Sequence, residues 1–240
     1  MSGPGELRLT NTVNVTHSVT NLTVDASRAL VLSNGTGNVV VNLAGDLTNN
    51  GTISKPGGTS GTAAINFTGT GSSTAQWGTI GTRWGGQGSA PVGGGRTVTF
   101  SDTLTTSASL TLTNNGTLNL GNGGTAGGVA GNLANNGTVN FNRSNAVNYG
   151  GVISGTGGVA QIGGGPTTLA GANTYTGATN VNGGTLALSA GGSISNSSGI
   201  SVATGASFDV SRSTRAARSR RTSRGPAPAV RSRSGRTRST

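Results

Sequence analysis

Two short stretches near the middle of the chain alternate apolar and polar side chains with the period of a β-strand. In TLNL (117–120) and TVNF (138–141), apolar residues occupy every second position and an asparagine stands between them. This alternation predicts strands whose Leu, Val and Phe side chains point inward while the Asn side chains point outward. Each stretch follows an Asn-Gly pair, which is typical of a tight turn.

The same pattern recurs along the chain and predicts a repeat architecture. The related phrases are LTNNGTI (47–53), LTNNGTLNL (112–120), LANNGTVNF (133–141) and the weaker VNGGTLAL (181–188). Aligned on the threonine after the turn, they give Thr52, Thr117, Thr138 and Thr185, with gaps of 65, 21 and 47 residues. These gaps are close to three, one and two steps of a unit of roughly 21 to 23 residues, a period typical of solenoids.

A unit of this length holds three short strands with their turns, so each unit is interpreted as one coil. Neighbouring coils would then stack about 4.8 Å apart and pair in parallel. The prediction places Leu112 beside Leu133, Asn114 beside Asn135, Leu118 beside Val139 and Leu120 beside Phe141. A meander of antiparallel hairpins is the competing fold, because Asn-Gly favours hairpins. The unit is too long for one hairpin, so we expect an all-β solenoid of nine or ten coils over residues 1–210.

Residues 149–188 carry a more specific signal. They read YGGVISGTGGVAQIGGGPTTLAGANTYTGATNVNGGTLAL, and the positions that form the motif include Gly155, Gly171, Asn173, Tyr175, Gly177, Gly184 and Leu186. This stretch resembles the autotransporter-associated β-strand repeat, also called the passenger-associated transport repeat. Pro166 departs from the pattern, since the family favours a strand residue there, and we expect it to distort one edge of a coil. Tyr175 is interpreted as a packing or turn residue and not as a ligand-binding one.

The resemblance implies a right-handed parallel β-helix that is a fragment of a bacterial autotransporter passenger, displayed on the surface of a Gram-negative cell or secreted. The repeat would assist passenger export and folding, and the passenger itself would be structural or adhesin-like. The implied partners are host or environmental glycans or cell surfaces, the outer-membrane translocation machinery and a C-terminal β-barrel that this chain lacks. The start MSGPGELRLT has no signal-peptide pattern, which agrees with a fragment.

Composition separates residues 1–210 from a basic tail at 211–240. The chain carries a formal net charge of +11, yet ten of its sixteen Lys and Arg residues lie between Arg212 and Arg238. We expect this tail to be disordered. An Arg-rich arm that binds nucleic acid is one hypothesis. The hypothesis we prefer is a frameshift in a GC-rich gene, which would leave the tail without an evolved function, so no specific nucleic-acid partner is expected.

The chemistry-bearing side chains are too few to predict an enzyme. The chain has no Cys and a single His, which excludes disulfides and cysteine-based zinc sites. Asp25 and Asp46 stand one repeat unit apart in NLTVD and NLAGD, so they could stack on adjacent coils as a carboxylate pair for a sugar or a calcium ion. A β-helix polysaccharide lyase or hydrolase is therefore the alternative function. No catalytic residue, cofactor or metal is assigned.

Large aromatic residues cluster at one place, QWGTIGTRWGGQG (76–88). Exposed on a loop, Trp77 and Trp84 could form a sugar-stacking platform together with Arg83. The competing interpretation is that these rings fill a gap in the core.

Overall fold

The computed structural model describes residues 6–9, 12–32, 36–54, 62–77, 79–80, 88–89, 91–101, 103–104 and 111–213. All regular elements of these residues are β-strands, as the alternation predicts. In chain order they are β1 (Glu6–Leu9), β2 (Val15–Val19), β3 (Leu22–Val24), β4 (Ala29–Leu32), β5 (Val39–Leu43), β6 (Leu47–Asn49), β7 (Thr52–Ser54), β8 (Ala63–Phe67), β9 (Gly71–Gln76), β10 (Thr79–Ile80), β11 (Gly88–Ser89), β12 (Arg96–Phe100), β13 (Thr103–Leu104), β14 (Thr111–Asn114), β15 (Thr117–Leu120), β16 (Gly128–Val129), β17 (Asn132–Asn135), β18 (Thr138–Phe141), β19 (Val147–Tyr149), β20 (Ile153–Ser154), β21 (Gly158–Gln161), β22 (Pro166–Leu169), β23 (Thr179–Val181), β24 (Thr185–Leu188), β25 (Ile200–Val202) and β26 (Ser207–Asp209).

The strands form a parallel β-solenoid whose chain visits three faces in turn. Face one holds β2, β5, β8, β11, β14, β17 and β20; face two holds β3, β6, β9, β12, β15, β18, β21, β23 and β25; face three holds β1, β4, β7, β10, β13, β16, β19, β22, β24 and β26. Every strand pairing among the described residues joins a strand to the equivalent strand of a neighbouring coil, and each is parallel. The hairpin meander is therefore excluded for these residues.

The predicted register between residues 112 and 141 is confirmed. On face one Leu112 lies opposite Leu133, and on face two Leu118 lies opposite Val139. The Asn114–Asn135 and Leu120–Phe141 pairs hold as well. These apolar side chains are fully or almost fully buried, because the period of two places them all on the inner side of their strands.

Coil length differs between the two halves, and this corrects two parts of the repeat alignment. The step from Leu22 to its partner Leu47 is longer than the step from Leu118 to its partner Val139. The longer N-terminal coils reduce the expected nine or ten coils to about eight turns, since nine strands of face two span eight steps. The threonine alignment is also wrong at its ends, because Thr117 lies on face two while Thr52 and Thr185 lie on face three.

Aromatic rings fill the core where the coils are longest. The ring of Trp77 packs edge-on between Phe67 and Phe100, with ring centroids 5.9 and 5.4 Å away. Farther along, Phe141 and Tyr149 form a similar pair at 5.7 Å. Edge-to-face contacts of this kind stabilise a core by about 0.5–1.5 kcal/mol each beyond the area that they bury.

A column of stacked glycines lies at the corner where each of four successive coils enters face two. It consists of Gly116, Gly137, Gly157 and Gly177. A Cβ atom on Gly137 would lie 1.9 Å from the carbonyl oxygen of Gly116, and one on Gly157 would lie 2.1 Å from that of Gly137. Because such distances are far inside van der Waals contact, only glycine allows the coils to approach this closely. This glycine column accounts for the Gly in the NNGT phrases at 114–117 and 135–138.

Candidate functional site

The structure places Trp77 in the core rather than on a binding loop. Its side chain has 0% exposure, and its backbone oxygen accepts a hydrogen bond from the side chain of Asn49 on the preceding coil. Trp77 therefore cannot contribute to an exposed platform. Its predicted companions Arg83 and Trp84 lie outside the described residues, so a platform formed by those two side chains stays a prediction.

The carboxylates of Asp25 and Asp46 do not stack, which corrects the expected acidic pair. Because the coil here is longer than the repeat unit, Leu22 pairs with Leu47, and Asp46 falls beside Asn21 rather than beside Asp25. The offset of four residues corresponds to about 13 Å along the strand direction. Paired carboxyl groups of glycosidases lie only about 5–9.5 Å apart.

Asp46 instead forms part of a polar row on the outer side of face two. Its backbone N–H donates to Asn21 Oδ1 at 2.8 Å, and its Oδ1 accepts from the backbone N–H of Thr74 at 2.8 Å. Asp46 thus links its own coil to both neighbours. Among the residues that the structure describes, no group of three or more His, Cys, Asp or Glu side chains could hold a metal ion.

The motif positions at 155–186 form a hydrogen-bonded unit inside the solenoid. Asn173 is buried; its Oδ1 accepts from the backbone N–H of Ile153 at 2.9 Å, and its Nδ2 donates to the oxygens of Gly171 and Ser193 at 2.9 and 3.0 Å. Because Ile153 lies on the preceding coil and Ser193 on the following one, the Asn173 amide connects three coils. Asn173 itself belongs to no strand, and its side chain adds to the backbone bonds between coils at this corner, such as those from the N–H of Thr174 to Ile153 and from the N–H of Ser193 to Gly171.

Tyr175 is fully buried and its hydroxyl contributes to a second connection between coils. The hydroxyl lies 2.6 Å from Thr179 Oγ1, which in turn lies 2.9 Å from Ser197 Oγ on the next coil. Burial raises the pKa of the Tyr175 phenol, and the hydrogen bond with Thr179 opposes this shift. A side chain held in this way has no surface to offer a ligand.

The motif glycines lie where the backbones of adjacent coils touch or where the chain turns with positive φ. A Cβ on Gly171 would lie 2.4 Å from the oxygen of Gly151, and one on Gly177 would lie 2.4 Å from the carbonyl carbon of Gly157. Gly155 and Gly184 have φ of 100° and 53°, which side chains rarely adopt. The remaining motif residue, Leu186, is fully buried. All seven motif positions therefore serve packing, hydrogen bonding between coils or turn geometry.

Pro166 does not distort its coil. It is the first residue of β22, opposite Thr185 of β24. A strand tolerates proline at its first position because little of the ladder depends on the missing N–H. The expected distortion is therefore absent, and Pro166 fits the strand.

Sequence reasoning missed a break in face three between β16 and β19. Within the continuously described stretch 111–213, β16 pairs only with β13, and β19 pairs only with β22. The chain uses residues 121–132 to pass from Leu120 to Leu133 but only 142–152 for the equivalent path in the next coil. The first path diverges from the second because it has one more residue and turns with positive φ at Gly121, Gly123, Gly127 and Gly131. A one-residue difference in length within a Gly-rich stretch is the only sequence signal for this break.

Arg143 replaces part of the missing ladder. Its guanidinium donates to the backbone oxygen of Gly127 at 3.1 Å, to that of Thr125, and to Asn145 Oδ1 at 2.9 Å. The hydroxyl of Tyr149 also crosses the break and donates to the oxygen of Gly131 at 2.6 Å. Burial raises the pKa of this phenol well above its usual range.

The break leaves a cavity of about 550 Å³ between the two coils, here called the inter-coil cavity. Its apolar lining includes Leu120, Phe141 and Tyr149 from the core. Its polar lining residues include Arg143, Thr103, Asn132 and Asn148. A volume between about 300 and 1,000 Å³ is typical of small-molecule sites, so this cavity is a candidate binding site.

Comparison with protein families agrees with the resemblance at the motif. Residues 159–188 match the family model described as passenger-associated-transport-repeat. This match begins ten residues after the start of the stretch read from the sequence and ends at the same residue. Neither the curated proteins nor the solved structures compared with this chain match it.

The repeat and the parallel solenoid together fit a segment of an autotransporter passenger. The repeat family implies a protein on the cell surface or outside the cell of a Gram-negative bacterium. No helix long and apolar enough to cross a membrane is present among the described residues.

Proposed function

We propose that this chain is a structural, adhesin-like segment of an autotransporter passenger and that its repeat assists export and folding of the passenger. The observation that carries the proposal is the family match at 159–188 within a stack of coils whose face two is continuous from β3 to β25. Through β21, β23 and β24 the matched residues pair with the coil before them and the coil after them. The repeat is therefore an integral part of the solenoid rather than an appended module.

Two features of the repeat suit a chain that folds after it crosses a membrane. Its coils follow one another on face two at short, nearly equal steps with no inserted loop, so each can add to the preceding one by local pairing. Its buried polar groups bond to neighbouring coils, as Asn173 and Thr179 show. Solenoids fold by addition of repeats to a formed neighbour, and a regular segment of this kind would start that process.

The proposal assigns no catalysis to this segment, and its partners are glycans or cell surfaces together with the translocation machinery and a C-terminal β-barrel. The separation of Asp25 from Asp46 supports this choice over a polysaccharide lyase or hydrolase, because the register removes the one carboxylate pair that the sequence suggests. The nucleic-acid hypothesis depends on the basic tail 211–240, of which residues 214–240 lie outside the described residues.

Surface display tests the passenger role. The 240-residue chain would be placed between a signal peptide and the C-terminal barrel of an unrelated autotransporter, and its exposure on intact cells measured with antibody and external protease. We expect display of a folded, protease-resistant segment. Retention of the chain inside the cell, under conditions in which the unrelated passenger is exported, would contradict the proposal.

The glycine column provides a matched pair for the export role of the repeat. Gly177 lies inside the matched residues and Gly137 lies two coils earlier, outside them. Valine at either position forces the same kind of backbone overlap, and we expect Gly177→Val and Gly137→Val to destabilise the purified protein by several kcal/mol each. If the repeat assists export, Gly177→Val lowers display more than Gly137→Val does. Equal losses of display would assign the repeat a stacking role only.

Attachment of the displaying cells tests the adhesin-like role. Cells that display this chain would be compared with cells that display an equal amount of the unrelated passenger, on surfaces coated with glycans or cultured cells. We expect stronger attachment by the first. Equal attachment would contradict the adhesin-like role and leave the segment with a structural role only.

A further inference from the structure

The inter-coil cavity contains one cationic group whose charge no carboxylate of the described residues neutralises. All three hydrogen bonds of the Arg143 guanidinium go to neutral oxygens, those of Thr125, Gly127 and Asn145. Among the described acidic residues none forms an ion pair with it. Of the five N–H donors of an arginine, these bonds use the one on Nε and one on each terminal nitrogen. One N–H on Nη1 and one on Nη2 are left for a further acceptor.

The three bonds also hold the guanidinium in place before any ligand arrives. Arg143 is half-buried, and its anchors lie on two coils, at Thr125 and Gly127 on one side and at Asn145 on the other. A fixed guanidinium loses little conformational freedom when it binds, and its planar fork of N–H groups matches the two oxygens of a carboxylate. The charge of the cavity therefore favours a ligand that bears a carboxylate.

The rest of the lining matches a sugar ring. Thr103 and Asn148 have an exposed hydroxyl and amide, and Asn132 keeps its Nδ2 donor while its Oδ1 accepts from the N–H of Val152. These groups can exchange hydrogen bonds with sugar hydroxyls. Ala130, Ala146 and Val147, which are exposed or half-exposed in the lining, provide an apolar surface for the C–H side of the ring. A fatty acid would bring no hydroxyl groups to the polar residues of the lining, and a neutral sugar would leave the guanidinium without a counter-charge.

We propose that the inter-coil cavity binds a hexuronate unit of an acidic polysaccharide, with its carboxylate on Arg143. The proposal deepens the adhesin-like role and rests on it for its biological meaning, since it names the chemical class of glycan that the passenger would recognise. Binding by the purified chain does not depend on that role.

The test measures binding of D-galacturonate, D-galactose and acetate to the purified 240-residue chain by ligand-observed NMR and calorimetry. D-Galactose keeps the ring but has a hydroxymethyl group where D-galacturonate has the carboxylate, and acetate keeps only the carboxylate. We expect D-galacturonate to bind about ten- to hundredfold more tightly than either, since a hydrogen bond to a charged group contributes a difference of that size. Equal affinity for D-galactose would overturn the role of the carboxylate, and equal affinity for acetate would overturn the assignment to a sugar.

Three variants locate the site. Arg143→Gln should lower the affinity for D-galacturonate at least about tenfold. Ala146→Trp should abolish binding, because residue 146 is an exposed residue of the lining, a large ring there would obstruct the cavity, and Ala146 is no partner in the hydrogen bonds of Arg143. Arg212→Gln removes an equal charge at an exposed position remote from the cavity lining and should change nothing. Binding that survives both Arg143→Gln and Ala146→Trp would place the ligand elsewhere and overturn the proposal.

The failure of this proposal and that of the adhesin-like role can be distinguished. If cells that display the Arg143→Gln chain attach as well as cells that display the native chain, adhesion stands and the cavity does not serve it. If the purified chain binds D-galacturonate but displaying cells do not attach to a polygalacturonate surface, the cavity assignment stands and the adhesin-like role fails.

Discussion

The buried amide pair Asn114–Asn135 gives the sharpest test of what holds adjacent coils together. Both side chains have 0% exposure. Asn114 Nδ2 donates to Asn135 Oδ1 at 2.8 Å and to the oxygen of Thr138 at 3.0 Å, and Asn135 Nδ2 donates to the oxygen of Gly158 at 2.9 Å. Asn135 thus connects the coil before it to the coil after it, and its replacement breaks bonds on both sides.

Asn135→Ala removes one acceptor and one donor from a site that water does not reach. A buried polar group that loses its partner costs about 1–3 kcal/mol. Asn114 keeps its bond to Thr138, so the cost of removing its bond to Asn135 lies at the low end of that range. The free energy of unfolding should therefore fall by about 2–4 kcal/mol, measured by urea denaturation followed by circular dichroism.

The same two coils contain a matched control on the outside of face two. Asn140 Nδ2 donates to Asn119 Oδ1 at 2.8 Å, the same distance as in the buried pair, but these side chains are half-exposed and water can replace either partner. Asn140→Ala should cost no more than about 0.5 kcal/mol. Equal losses for Asn135→Ala and Asn140→Ala would refute the reasoning, because it attributes the larger loss to polar groups that are left without partners where water does not reach.

Asn135→Asp adds a pH dependence with a defined sign. A carboxylate at this buried site would have its pKa raised above the unfolded value by desolvation, and only the protonated form has an O–H that can donate to the oxygen of Gly158. A group whose pKa is raised in the folded state contributes stability below the unfolded pKa and loses it as the pH rises through the folded pKa. The loss in free energy of unfolding caused by Asn135→Asp, measured against the native chain, should therefore be smaller at pH 4 than at pH 7. An equal loss at both pH values would contradict this.

Two further predictions follow from other buried polar groups. The chain has only two tyrosines, and burial raises the pKa of both Tyr149 and Tyr175. Absorbance at 295 nm should therefore show less than half-titration at pH 10 in the folded protein but half-titration near that pH in urea. Half-titration of the folded protein near pH 10 would show that the phenols are accessible. Arg96→Lys should lower the free energy of unfolding by about 1–3 kcal/mol. The buried guanidinium of Arg96 donates to groups on two preceding coils, and one ammonium cannot reach these groups together. As a control, Arg212→Lys at an exposed position should have no effect.

The register of the middle coils could be predicted because these coils have no insertions. Between residues 112 and 141 the coils have nearly equal lengths, so nearly identical phrases fall opposite each other. In the N-terminal half the steps are longer and unequal, as from Leu22 to Leu47 and from Leu47 to Ala75. A phrase comparison cannot show at which corner the added residues lie. The Asp25–Asp46 alignment is wrong for that reason.

The candidate site was harder to predict than the fold. Arg96 could have been recognised as inward-pointing, since RTVTF places it on the same side of the strand as Val98 and Phe100. The acceptors of Arg96, however, come from the two coils that precede it, at Thr70, Ser73 and Gly45.

The inter-coil cavity depends on a length difference of one residue between two paths, which has meaning only when both registers are known.

One phrase, LTNNGT, occurs at two different corners of the solenoid, which shows what a local sequence can and cannot specify. At 47–52 it joins face two to face three, and at 112–117 it joins face one to face two. The local structure is the same at both places: a buried asparagine, Asn49 or Asn114, accepts from the backbone N–H of the glycine two residues later at 3.1 or 3.2 Å. In each case a Cβ on that glycine would lie 2.3 Å from a backbone oxygen of the preceding coil. The phrase therefore encodes a tight corner with one close inter-coil contact, while pairing with the preceding coil decides which corner it becomes. Sequence similarity between coils consequently predicts corners reliably, and it predicts register only where the coils have equal length.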